Sequence, residues 1–142
     1  MKEPVISDKN HPIGLTARLV FFVMSFAPAN VKEFFFDHSV SAISGRIYLP
    51  VGSTVHPEDF RETVTYRHEM VHIRQAGEQL FWQLRYVLFP GFRLRAEAEA
   101  YMTTHHAEGY LTLDQVAETI WEYYYTCQTL DEVRKVCFER LH

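Results

Sequence analysis

At 142 residues the chain has the length of one domain, enough to bury one core and too little for two. Hydrophobic residues at 47% and charged residues at 23% exclude a disordered polymer, and a net charge of -4 gives no basic footprint for nucleic acid. Two cysteines, Cys127 and Cys137, are too few for a disulfide framework and read as buried thiols of a reducing compartment.

The first dozen residues read as a loose tail. Lys2, Glu3, Asp8 and Lys9 precede any apolar run, and Pro4 and Pro12 interrupt it, so the pattern is not a signal peptide and a cytoplasmic location is expected. Leu15 to Ala27 is the most apolar stretch. It carries Arg18 and stops at Pro28, short of the roughly 20 residues of a membrane span. Within it, Thr16 to Phe26 predicts a helix, with a strand as the alternative. Lys32 to Asp37, holding Phe34, Phe35 and Phe36, suits a strand. Arg46-Ile47-Tyr48-Leu49 alternates polar and apolar β-formers and ends at Pro50. Residues 32–50 therefore predict two or three short strands.

Pro57 suits the first turn of a helix, with Glu58 and Asp59 complementing its dipole. The helical period continues to about Ala76, where Gly77 is a stop, and a second helical stretch runs from Glu78 to Leu88. Pro90-Gly91 is a break. Arg93 to Glu108 predicts a helix ended by Gly109. Thr112 with Gln115 and Thr129 with Glu132 fit the capping box and start helices over about 113–127 and 130–141. The sum is an α+β fold, a small N-terminal sheet packed on a helical bundle, in a single domain over residues 1–142.

Chemistry concentrates at His68-Glu69-Met70-Val71-His72, an H-E-x-x-H pattern inside the predicted helix. Residues four apart share a helix face, so both imidazoles can reach one cation. Glu69, one residue past the first histidine, can take a proton from a water activated there. A catalytic zinc needs a third protein ligand. Glu97, 25 residues beyond His72 on the next firm helix, can supply it. Glu97 and Glu99 lie about 200° apart around a helix, so only one can face a metal. Glu97 shares its face with Leu94, Tyr101 and His105, and is preferred.

Three segments carry a family resemblance: Ser41 to Pro50, Thr65 to Gln75 with its Gln three residues after the second histidine, and Glu97 to Tyr101. Together they resemble the gluzincin class of zinc peptidases, and in particular its shortest single-domain members, the minigluzincins, over residues 39–105. The resemblance implies a zincin-like fold, with Zn2+ held by His68, His72 and Glu97 and with Glu69 as general base. It also implies a peptide or protein substrate, paired as an extended chain along the strand at 46–49. Many gluzincins carry Asp four residues after the third ligand; here that position is Tyr101. Its hydroxyl would serve either as a partner to a ligand or, like His105, as a donor to the substrate oxyanion. Positions 75 and 78, where a metzincin carries Gly and His, are Gln75 and Glu78.

The expected function is a zinc-dependent peptidase, active or latent. The alternative is a catalytically silent, zinc-stabilised interaction module, against which the intact Glu69 argues, since a structural site needs no base. A membrane-associated regulator using residues 15–27 is weakened by Arg18 and by the run's length.

Overall fold

The computed structural model describes residues 3–77 and 79–141. The expected start of the second helical stretch at Glu78 lies outside these, as do Met1 and Lys2 of the expected tail. The chain is α+β: a three-stranded sheet with two helices between its first two strands and the other helices after its third. Contacts divide it into two compact units, residues 1–84 and 85–142.

The first unit contains β1 (Val5–Asp8), α1 (Leu15–Met24), α2 (Ala29–Glu33), β2 (Ser41–Ile43), β3 (Arg46–Leu49), α3 (Pro57–Arg61) and α4 (Val64–Ala76). The sheet order is β1-β3-β2. β1 runs parallel to β3 with Val5 opposite Arg46, and β2 runs antiparallel to it with Ala42 opposite Ile47. The β2–β3 hairpin turns on Ser44 and Gly45, whose φ angles of 53° and 74° are the paired left-handed values of a type I′ turn.

Two expectations fail here. The segment read as a loose tail supplies a strand. Its four residues show no apolar alternation, so nothing local announces a pairing that only β3 provides. The Phe-rich segment 32–37 is not a strand. It finishes α2 and continues as a π-helical turn, Phe34–His38. Helical winding lets Phe35 and Phe36 both reach the ring of Phe21 edge-on, each with centroids 5.6 Å away, and this packing overrides strand preference. The helix reading of 16–26 holds as α1.

Lys9, at 3% exposure, closes the end of β1. Its ammonium donates to the Ser39 carbonyl at 2.6 Å, to Ser39 Oγ at 3.1 Å and to the Phe35 carbonyl, and it lies over the Phe35 ring. The buried hydroxyl of Tyr48 meets the backbone of Ile13, accepting from its N–H at 3.1 Å. The segment before α1 is thus fastened at both ends.

The expected helix over 57–76 is two helices. Thr63 leaves the helical region at ψ 154°, and its hydroxyl caps α4 by accepting from Tyr66 N–H at 3.1 Å. α4 presents Tyr66 and Ile73 to a core of Ile47, Leu49 and Phe60, and it lies against β2.

α5 (Leu80–Leu88) carries the chain from the first unit into the second, which adds α6 (Pro90–Tyr101), a π-helical turn at Met102–His106, α7 (Leu113–Tyr123) and α8 (Leu130–Glu139). Both capping boxes form as predicted, at Thr112 with Gln115 and at Thr129 with Glu132. α7 stops earlier than expected because Tyr125 and Cys127 take positive φ, 50° and 58°. The core of this unit is Leu94, Ala98 and Met102 from α6 and its turn, Val116, Ala117 and Ile120 from α7, and Val133 and Cys137 from α8. Cys137 is buried as expected and burial pushes its thiol up to about 11, whereas Cys127 is exposed, against expectation.

Candidate metal centre

α4 carries His68, Glu69 and His72 at 3%, 4% and 6% exposure. Helical spacing brings the two imidazoles together, with Nε2 of each 3.1 Å from the other and the rings nearly perpendicular at 80°. Gln75, one turn on, presents Oε1 to His72 Nδ1 at 2.9 Å. An amide oxygen can only accept, so Nδ1 carries the proton and the His72 Nε2 lone pair points toward His68. This is the orientation a metal-binding histidine needs, fixed by a partner on its other nitrogen. Trp82, also buried, closes the apolar side of His72 with ring centroids 6.0 Å apart.

Lys9 adds charge near this helix. Burial pulls its ammonium down to about 7, opposed first by the carboxylate of Glu69 and then by that of Asp37.

Glu97 on α6 is 1% exposed. Tyr86 of α5 donates its hydroxyl to Glu97 Oε1. Two more tyrosines stand in this unit with it: Tyr101 and Tyr124 share a hydroxyl–hydroxyl bond of 3.0 Å. Tyr124 is held well above the ordinary phenol range, by burial first and then by Glu97, Tyr101 and Tyr86, so it stays protonated. Tyr101 also stacks on His105 with ring centroids 4.8 Å apart. The hydroxyl expected to face ligand or substrate is therefore engaged with Tyr124, a partner sequence reasoning missed. Arg93 fastens the backbone around this group, donating to the carbonyls of Tyr86 and Val87 at 2.8 and 3.0 Å and to those of Tyr124 and Tyr125 at 2.6 Å each.

His68 and His72 on α4 and Glu97 on α6 are all buried, and two imidazoles and a carboxylate are side chains of the kind that could hold a metal ion.

The strand expected to pair with substrate does not present an edge. β3 is the middle strand, with β1 on one side and β2 on the other. The edge strand lying against α4 is β2, where Gln83 Nε2 donates to the Ala42 carbonyl at 3.4 Å.

No family model, no curated protein and no solved structure matches this chain.

Proposed function

We propose that the chain is a zinc-dependent peptidase, with Zn2+ held by His68, His72 and Glu97. The observation that carries this reading is the buried pair of imidazoles with facing Nε2 atoms, the one on His72 fixed in its metal-binding tautomer by Gln75, beside a buried Glu69. A burial this complete for two histidines and two carboxylates has a cost, which a bound cation offsets.

When bound, zinc supplies Lewis acidity, making water a better nucleophile near neutral pH and polarising a carbonyl. Glu69 takes the proton of the attacking water on its carboxylate and passes it to the leaving amine. Gln75 keeps the Nδ1 proton on His72, so that this ring stays a neutral donor through its Nε2. Tyr101 keeps the alternative roles of oxyanion donor or support to a ligand, now through its bond to Tyr124. The substrate is an extended peptide, and the sheet edge that supports it is β2. Gln83 would give up the Ala42 carbonyl when such a strand pairs there. A cytoplasmic setting accords with two cysteines that form no disulfide. Among the described residues no helix is long and apolar enough to cross a membrane.

The deciding experiment is metal analysis of the purified protein beside His68→Ala, Glu97→Ala and Glu69→Gln, followed by a peptide-cleavage screen. One zinc per chain, lost in the first two variants and kept in the third, with cleavage lost in all three, is the expected result. Absence of zinc after reconstitution overturns the reading. Zinc bound without cleavage of any peptide would favour the silent interaction module.

A further inference from the structure

We infer that Tyr86 is a positioning residue for Glu97, holding the third zinc ligand through its phenol hydroxyl; this rests on the zinc reading above. A carboxylate bound to a metal through one oxygen needs its other oxygen held, or it swings between binding modes. Tyr101, one turn beyond Glu97 on the same helix, has its hydroxyl bonded to Tyr124. Tyr86 comes from a different element, 11 residues before Glu97, and donates directly to Oε1 of the ligand.

Three features make this contact a fixed support. Glu97 is 1% exposed, so water does not compete for Oε1. The backbone of Tyr86 is anchored, because Arg93 donates to its carbonyl at 2.8 Å. The same guanidinium donates to the carbonyl of Tyr124 at 2.6 Å, so one side chain sets the positions of two of the tyrosines that surround the ligand. A phenol is also suited to the task, since it is neutral and a hydrogen-bond donor at physiological pH. It orients the carboxylate without adding a positive charge to compete with the metal.

The test uses the full chain as wild type and as Tyr86→Phe, which removes one oxygen. Zinc affinity is read by competition with a chromophoric chelator, the site by the visible spectrum of the cobalt-substituted protein, and folding by the melting of the metal-free form. Tyr86→Phe should bind zinc about 10- to 100-fold more weakly and shift the cobalt spectrum, with the metal-free form still melting cooperatively, at a lower temperature because Glu97 Oε1 loses its buried donor. Equal affinity and an unchanged spectrum in a variant whose parent binds zinc overturn this inference and leave the zinc reading standing. A wild type that takes up no metal overturns both. Should Tyr86→Phe fail to fold, the wild type answers alone. With labelled tyrosine, the Tyr86 ring carbon bearing the hydroxyl should shift in step with zinc occupancy, and a resonance that stays in place sinks the inference.

Discussion

Gln75 determines which nitrogen of His72 holds a proton, and its effect can be measured apart from cleavage. Gln75→Leu should keep α4 intact and lower zinc affinity about 10-fold, because the ring loses the partner that fixes its tautomer. Chelator competition at neutral pH checks this. Lys9 gives a prediction of a different kind. Its folded pKa, about 7, lies below the ordinary 10.5, so between these values the unfolded chain binds more protons than the folded one. Lys9 thus makes stability rise with pH across that window, by up to about 1.4 kcal/mol per pH unit, and lose that gain as pH falls back toward 7. Urea melts of wild type and Lys9→Met at several pH values from 7 to 10 should differ by this slope; parallel curves would show that Lys9 does not titrate there. The two thiols separate by exposure: native protein should take up one equivalent of iodoacetamide, at Cys127, while Cys137 reacts only after unfolding. At this scale the sequence was informative where spacing alone sets geometry, as in the facing imidazoles of His68 and His72. Tyr86 and Tyr124 were out of reach, because a tyrosine among core helices looks the same whether its hydroxyl meets a ligand or a backbone.

Among the elements, those with local punctuation were legible. Thr112 and Thr129 announced α7 and α8 because a capping box is written within four residues. Thr129→Ala should cost about 1 kcal/mol in thermal or chemical unfolding. Glu132 reinforces that cap: its bonds to the Thr129 backbone and hydroxyl hold its carboxyl below the ordinary value, so the contribution weakens as pH falls below about 4.5. The hairpin between β2 and β3 was less legible, since Ser-Gly is a weaker turn signal than Asn-Gly. Ser44 sits at φ 53° without the tolerance of glycine or asparagine for that region, so Ser44→Asn should stabilise the protein by roughly 0.5–1 kcal/mol. A loss of stability on that substitution would show that the turn is not of this type in solution. β1 and the π-turn after α2 were not legible, for the reason that both are set by distant partners: β3 in one case, Phe21 in the other.

For the molecule as a whole, each unit has a buried apolar cluster of its own, Ile47, Leu49 and Phe60 in the first and the α6–α7–α8 core in the second. Neither cluster depends on the proposed metal ligands for its apolar packing. Chelation should therefore lower the melting temperature without abolishing the helical circular-dichroism signal. The difference from the loaded protein should grow with free zinc, reaching about 2.7 kcal/mol at a hundredfold excess over Kd. Collapse to a random-coil spectrum on chelation would instead mark zinc as a folding requirement and favour the silent-module alternative.

The parallel pairing of β1 with β3 also has a consequence in time. Val5 lies opposite Arg46, so the sheet cannot close until that stretch of chain has left the ribosome. Until then the hairpin of β2 and β3 is absent and β1 has no strand to pair with. Closing a loop of this length precedes any reward from the contacts, which places the assembly of the first unit among the slow, non-local steps of folding. The second unit is all helical and its most extensive packing joins the consecutive helices α7 and α8, although α6 also reaches α8. In refolding from denaturant, helical signal from residues 85–142 should thus appear before burial of Tyr48, so the unit synthesised last would be the unit that acquires its structure first.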